Sequence, residues 1–384
     1  MSERTLQLYA TATFNLEGLV KKELLQLGFE DAKAEPGGVR FTGTLTDAFR
    51  ACLYLACADR VQVILAEGEC LSFEELFQLT RSAPWHQLIP PDGRILVNAH
   101  CARSRLMSPS DCQKIVKKAI VDELMAAHRV RVLPETGPTF RVTAALHADK
   151  ARLTIDACGD ALNKRGYRTW NGEAPLRETL AAALCRMIPW RGTMPLHDPC
   201  CGTGTLLIEA AFLMSGRAPG LTRSFDMEAW PGTDKSAVEL ERERARAAFD
   251  PEKIRGISGS DIDPTALELC RRHLRQAGLE GHIRVWQADL RDLQLPERAD
   301  FLCNPPYGER LGTKKEAEKL YAAFPALMDR HPGSTLSVIC AEPGLEKLMG
   351  MRAVKKTRLY NGRLECELMT FRRNTIKMQN KARK

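Results

Sequence analysis

The segment Asn304-Pro-Pro-Tyr-Gly-Glu-Arg310 sets an amide side chain ahead of two prolines and an aromatic ring. The prolines fix the backbone and withdraw two N–H donors, which leaves the carbonyl of Pro305 facing outward. The side-chain oxygen of Asn304 and that carbonyl can then accept both protons of a planar amino group. Accepting both raises electron density on a nitrogen whose lone pair is otherwise spread into a ring. Tyr307 offers a face on which the same ring can stack. The bland alternative is a proline-rich turn after a buried strand. The strand that leads into the motif from Ala299 and Asp300 favours the chemical reading.

Three aspartates and a glycine turn stand at comparable places. Leu196-His-Asp198 leads into Cys200-Cys-Gly-Thr-Gly-Thr205; a strand over 254–260 ends at Asp261, and another over 283–288 ends at Asp289. A glycine turn before a helix lets backbone N–H groups approach a ligand closely. The third glycine of a dinucleotide fingerprint would stand at Leu207, and no Gly-Lys-Ser/Thr ending exists. Both facts count against a pyrophosphate ligand. Asp261 is placed to accept the hydroxyls of a ribose and Asp289 to accept an adenine amino proton. Taken alone, each reads equally well as a helix cap or strand-end turn, and Asp263, followed by Pro264, is better explained as a cap. Together, strand-end acids without a phosphate-binding glycine set favour a nucleoside that carries no phosphates.

These groups need a scaffold that brings strand ends together. From about residue 190 the pattern runs strand, glycine-rich turn, apolar helix, then further strands with polar ends, a fifth over 335–341 and two flanking Asn361-Gly362. This describes a doubly wound parallel sheet finished by an antiparallel hairpin, with ligands at the carboxyl ends of the strands. The first third alternates short strands and helices. A strand over 6–13 precedes a helix with Leu16, Leu19, Val20, Leu24 and Leu27 on one face and Gly28 to close it. A return strand begins at Val39, and a helical stretch from Thr46 and a strand over 61–66 follow. This first α+β unit extends to about residue 68. In a second unit, Ser110 and Gln113 form a capping-box pattern before a helix with Ile115, Val116, Ala119, Ile120 and Leu124 on its buried face. Lys114, Lys117 and Lys118 fall largely on the other side. Strands over 140–146 and 153–157 turn at Ala148-Asp-Lys150.

The 384 residues suffice for two or three domains, and 44% hydrophobic with 27% charged residues is the mix of a soluble globular protein. No segment reads as membrane-spanning, because the most apolar stretch, 48–66, is broken by Arg50, Asp59 and Arg60. Thirteen cysteines without a signal peptide, a Cys-x-x-Cys pair or a Cys/His quartet predict reduced, mostly buried thiols in a cytoplasmic protein and no metal site. The net charge of +8 permits a polyanionic partner. Basic residues gather in Leu162-Asn-Lys-Arg-Gly-Tyr-Arg168 and in the tail after Phe371.

The two motifs, Asp198-Pro-Cys-Cys-Gly-Thr-Gly-Thr and Asn304-Pro-Pro-Tyr-Gly-Glu-Arg, resemble those of class I methyltransferases that act on exocyclic amines. With Leu162-Asn-Lys-Arg-Gly-Tyr-Arg168, Ala174-Pro-Leu-Arg-Glu-Thr-Leu-Ala-Ala-Ala183 and Ala218-Pro-Gly-Leu221, the chain is similar to the THUMP-domain guanine-N2 methyltransferases of 23S ribosomal RNA. The resemblance covers nearly the whole chain. It implies an N-terminal ferredoxin-like domain over 1–68, a THUMP RNA-binding domain over 69–165, a linker and cofactor-covering helix over 166–190, and a Rossmann-like methyltransferase domain with a mostly parallel seven-stranded sheet over 191–375. A basic tail follows over 376–384.

The resemblance further implies S-adenosyl-L-methionine as cofactor, with Asp198, Gly202 and Gly204 at its methionine end. Asp261 would hold the ribose and Asp289 the adenine, with Cys200, Ile262 and Leu290 as further cofactor contacts. Asn304, Pro305, Pro306 and Tyr307 would hold the target base. The family more often has an aromatic residue at Cys200. Structured RNA would be met by Lys114, Lys117, Lys118, Lys164, Arg165 and Arg168. The alternatives are a guanine-N2 enzyme of transfer RNA, an adenine-N6 enzyme, and an RNA-binding assembly factor without turnover.

Overall fold

The structure, a computed structural model, describes residues 4–168, 176–295, 298–306 and 314–373. The chain divides into two compact units, one of residues 1–12, 16–162 and 220–244 and the other of 13–15, 163–219 and 245–384.

The first unit is built on one seven-stranded sheet. Its elements are β1 (Leu6–Thr11), α1 (Glu17–Gln26), β2 (Lys33–Glu35), β3 (Gly38–Gly43), α2 (Leu45–Tyr54), β4 (Arg60–Glu69), α3 (Phe73–Ser82), β5 (Arg94–Ala102), α4 (Pro109–His128), β6 (Thr139–His147) and β7 (Lys150–Asp156). The strand order is β2-β3-β1-β4-β7-β6-β5. β4 pairs with β1 along one edge and with β7 along the other. The sheet therefore runs without a break through residue 68, where the sequence suggests a change of unit. Phe140, Val142, Ala144 and Leu146 of β6 are buried, as their alternation requires. Ala148 and Asp149 both adopt positive φ in the two-residue turn to β7, which matches the type I′ turns that fit strand twist.

Helix α1 closes as expected, with Gly28 at φ +91°. Helix α4 does not start where the sequence suggested. Its cap is Ser108, whose hydroxyl accepts from the amide of Asp111, with Pro109 in the first turn. Proline has no N–H to satisfy there, so the cap falls two residues before Ser110. The segment 220–244 also belongs to this unit: Trp230 stacks on Phe140 at 5.1 Å and Asp226 pairs with Arg141 at 2.8 Å.

The second unit begins with α5 (Glu178–Met187), β8 (Leu196–Asp198) and α6 (Thr205–Ser215); α7 (Lys235–Ala248) straddles the two units. Then come β9 (Ile257–Asp261), α8 (Pro264–Gln276), β10 (Arg284–Gln287), β11 (Asp300–Cys303), α9 (Lys314–Tyr321), α10 (Phe324–Arg330), β12 (Thr335–Cys340), α11 (Leu345–Met349), β13 (Lys355–Asn361) and β14 (Leu364–Arg372). The order is β10-β9-β8-β11-β12-β14-β13. All pairs are parallel except those of β14 with β12 and β13. One face packs Phe301, Phe324, Leu327, Leu336 and Phe371 into a core. Asp263 caps α8 by accepting from the amide of Thr265, with Pro264 behind it, as the sequence indicated.

The closing hairpin lies one residue off its expected place. Asn361 pairs with Leu364, so the two-residue turn is Gly362-Arg363 and Asn361 is the last residue of β13. Gly362 has φ +67°, the glycine-first pattern of a type II′ turn, which tolerates asparagine in the strand before it.

Candidate active site

The strand order of the second unit reverses between β8 and β11, and in such sheets the ligand crevice lies outside the carboxyl ends at that switch point. A cavity of about 950 Å³ opens there. Asp198 ends β8, Asp261 ends β9, Asp289 follows β10 and Asn304 follows β11, and all four line it.

Asp198 is 3% exposed and accepts a hydrogen bond from the amide of Cys200 at 3.0 Å. Burial pushes its carboxyl well above the usual range, and the nearby charge of Asp261 adds to the effect. Among the described residues no cation pairs with it. Asp261 has both oxygens engaged: Oδ2 accepts from the amide of Gly202 at 2.8 Å and Oδ1 from that of Asp263 at 3.0 Å. Burial raises its pKa too, against the pull of these amides.

The glycines of the turn differ in purpose. Gly202 has φ +50° and lines the cavity, and a Cβ built on it would meet nothing within 4 Å. Gly204, expected at the cofactor, is not among the lining residues. It sits at the N-terminus of α6 with φ +85°, and a Cβ there would come within 2.5 Å of the Cys270 sulfur on α8. Its lack of a side chain serves helix packing. Cys200 lines the cavity half-buried, and burial, followed by the charge of Asp198, pushes its thiol well up, so it remains protonated.

Toward β10 the cavity is lined by Ile262, 59% exposed, and Leu290, which is buried. Gln287 pins the loop by donating to the Ile262 carbonyl at 3.0 Å. Asp289 is held by Arg291, whose Nε lies 2.9 Å from both carboxylate oxygens, and this pairing lowers its pKa. At β11, Asn304 is half-buried and Pro305 buried. The carbonyl of Pro306 accepts from the Tyr321 hydroxyl at 2.7 Å, which fastens this loop to α9. Tyr307, Ala174, Pro175 and the basic tail lie outside the described residues; Leu176 lines the cavity.

The basic residues expected to meet RNA separate into exposed and internal groups. Lys114 is exposed beside Asp111 at 3.5 Å, and Lys118 is exposed over the Phe77 ring at 5.9 Å. Lys117 instead pairs with Glu135 and donates to the Ile95 carbonyl at 2.8 Å. In the second unit Lys164 is exposed. Arg165 is not: it is 2% exposed and pairs with Glu209, which also accepts from the Tyr167 hydroxyl at 3.1 Å. Arg168 pairs with Glu178 at 3.3 Å and donates to Thr205 and the Leu176 carbonyl. Buried cations need such partners, and Arg165 and Arg168, expected to meet RNA, belong to an internal network instead. Glu178 belongs to one of the strings that carry the family resemblance, Arg165 and Arg168 to another.

Sequence reading missed several lining residues: Thr203 and Thr205, Lys319 and Leu320 of α9, and Asn361, Arg363 and Leu364 of the hairpin. Thr203 and Thr205 lie within the glycine-turn motif, and the hairpin had a turn signal that did not place it beside the cavity; Lys319 and Leu320 had none. His197, unremarked in sequence, is buried between Ser258 at 2.9 Å and Ser260 at 3.1 Å, and burial lowers its pKa to about 3. A ring held neutral between two strands is structural here.

Comparison with known proteins agrees with this layout. Residues 165–370 match the family model of the RMKL-like methyltransferase domain, residues 7–62 that of the RlmL ferredoxin-like domain and residues 70–156 that of the THUMP domain. The chain is 36% identical to the "Putative RNA methyltransferase YpsC" of Bacillus subtilis (strain 168), over 95% of each. It is 34% identical to the ribosomal RNA large subunit methyltransferase K/L of Syntrophotalea carbinolica, over 95% of this chain and 53% of that protein. The chain thus spans about half the length of such K/L relatives. The crystal structure of SMU.472 complexed with SAH superposes with a TM-score of 0.91 at 35% identity, covering 97% of this chain and 99% of that one. The crystal structure of "a predicted N6-adenine-specific DNA methylase" from Listeria monocytogenes matches with TM-score 0.91 at 36% identity over 96% of both.

Proposed function

The chain belongs to the RMKL-like methyltransferase family, and we propose that its substrate is the exocyclic N2 amine of a guanine in large-subunit ribosomal RNA. S-adenosylmethionine is the cofactor. The cavity suits it on its own chemistry. Asp198 is a buried carboxylate without a cationic partner among the described residues, as an ammonium ligand requires. Gly202 leaves open space beside it. Asp198 and the Gly202 turn would hold the methionine end, Asp261 the ribose, and Ile262, Asp289 and Leu290 the adenine.

The observation that carries the reading is Asn304 on the wall of the cavity that Asp198 and Asp261 also line, in a chain that includes a THUMP domain. When bound, the cofactor supplies a methyl group on a sulfonium, already a strong electrophile. The protein's part is to position the amine and enrich its nitrogen. The oxygens of Asn304 and Pro305 accept the two amine protons and localise the lone pair; Tyr307 supplies a stacking face. A base in a duplex must first be turned out of its stack. In direct transfer the nitrogen would take the methyl group as the carbon–sulfur bond breaks and then release one N–H proton to solvent, with no covalent enzyme intermediate.

Ribosomal RNA is favoured by the relatives named ribosomal RNA large subunit methyltransferase K/L, and RNA over DNA by the THUMP domain. Nucleoside analysis of large-subunit RNA from cells with and without the gene tests the reading. Loss of one N2-methylguanosine is expected. An unchanged set of modified guanines there, with a loss in transfer RNA or at adenine, would overturn it.

A further inference from the structure

The cationic side chains that line the cavity or lie on the elements bordering it fall into two sets. Arg291 is paired with Asp289, Arg168 with Glu178, Arg358 with Glu365 and Lys356 with Glu346. Arg177, Lys319 and Arg363 are exposed, and among the described residues none of them has an acidic partner. Lys319 and Arg363 line the cavity. Glu316, one turn before Lys319 on α9, has a partner of its own.

Topology accounts for Arg363. Cys340, the last residue of β12, pairs with Glu367 of the antiparallel β14. Arg363 lies four residues further toward the turn, so the hairpin overhangs the carboxyl edge of the parallel strands by roughly 13 Å. The turn thereby reaches the lip of the cavity. A Cβ built on Gly362 would lie 3.9 Å from the Arg177 guanidinium, so Arg177 backs the turn that presents Arg363. The acids Asp198, Asp261 and Asp289 stand at the strand ends, and Arg363, without an acidic partner among the described residues, stands on the turn at the lip.

We propose that Arg363 is a phosphate-binding residue that, supported by Arg177 and with Lys319 lining the same cavity, holds the sugar-phosphate backbone beside the target nucleotide. This rests on the reading of the substrate as a polynucleotide. A base presented to Asn304 carries a phosphate on each side, and the guanidinium fork matches phosphate oxygens. Such a contact fixes register without reading sequence.

The test uses the full-length protein and large-subunit RNA from a strain lacking the gene, with kcat/KM measured across a range of KCl concentrations. Arg363→Gln should lower kcat/KM about tenfold at low salt, mostly through KM, because one charge-assisted contact is lost. The slope of log kcat/KM against log salt should become shallower by about 0.7–0.9, the value of one phosphate contact. Arg363→Lys should keep the steeper slope. Calorimetry should give unchanged cofactor affinity in both variants. An unaltered salt slope in Arg363→Gln overturns the contact, as does a rate loss wholly explained by weaker cofactor binding. If the wild-type protein does not methylate this RNA, the functional reading fails; titrating the same RNA against salt then still decides the role of Arg363.

Discussion

The amide of Gly202 donates to Asp261 Oδ2 across 2.8 Å, so the acid that ends β9 holds the turn that follows β8. Asp261 therefore shapes the cavity floor as well as offering its carboxylate to a ligand. Asp261→Ala should weaken S-adenosylmethionine binding roughly ten- to a hundredfold, from loss of a charge-assisted acceptor. It should also lower stability by about 1 kcal/mol, since two backbone donors lose their partner. Calorimetry and thermal unfolding read the two effects. Unchanged affinity in a folded variant would remove Asp261 from the site.

Asp198 makes cofactor binding dependent on pH. Burial raises its pKa above the ordinary carboxylate range, and a bound ammonium favours the ionised form. Affinity should fall as pH drops through that raised pKa, and Asp198→Asn should bind weakly with little dependence on pH. Without ligand the sign reverses. A carboxyl with a raised folded-state pKa binds more protons folded than unfolded, so its contribution to stability is lost as pH rises through that value. Calorimetric titrations from mildly acidic to neutral pH, in wild type and Asp198→Asn, check this. A wild-type profile as flat as the variant's would contradict it.

His197 acts in the opposite direction. Burial, and secondarily the charge of His331, lower its pKa from 6.5 to about 3. The unfolded chain takes up the proton first, so stability is full above pH 6.5 and lost as pH falls toward 3. The loss can reach a few kcal/mol, at about 1.4 kcal/mol per unit. His197→Gln should be less stable at neutral pH and lose less on acidification. Urea unfolding at several pH values measures this; parallel losses in both proteins would rule out His197 as the source.

Arg165 is expected to behave unlike the exposed cations. Arg165→Ala strands Glu209 without its buried cation and should cost about 3–5 kcal/mol of stability. In whatever fraction folds, the salt dependence of RNA binding should match wild type. A shallower slope with unchanged stability would restore Arg165 to the RNA-binding surface.

What could be read in the sequence and what could not follow from range. Asp263-Pro264 announces a helix start within two residues, and the Ala148-Asp149 turn announces itself between alternating strands. The strand-end acids and Asn304 were legible because a parallel sheet must gather its carboxyl ends. Burial was not legible. Arg165 and Arg168 look solvated until Glu209 and Glu178, remote in sequence, fold against them. Gly202 and Gly204 look alike in the motif, and only the position of Cys270 separates their roles. Arg363 depended on the register of β14 against β12.

The most direct test supplies purified protein with S-adenosylmethionine labelled on its methyl group and large-subunit RNA from a strain lacking the gene. The RNA is then digested to nucleosides, and Asn304→Ala is run beside wild type with cofactor affinity measured for both. The expected result is label in N2-methylguanosine for wild type, and almost none for Asn304→Ala despite normal cofactor binding. Label in another nucleoside, or an Asn304→Ala rate close to wild type, would contradict the assignment of this cavity to guanine-N2 methylation.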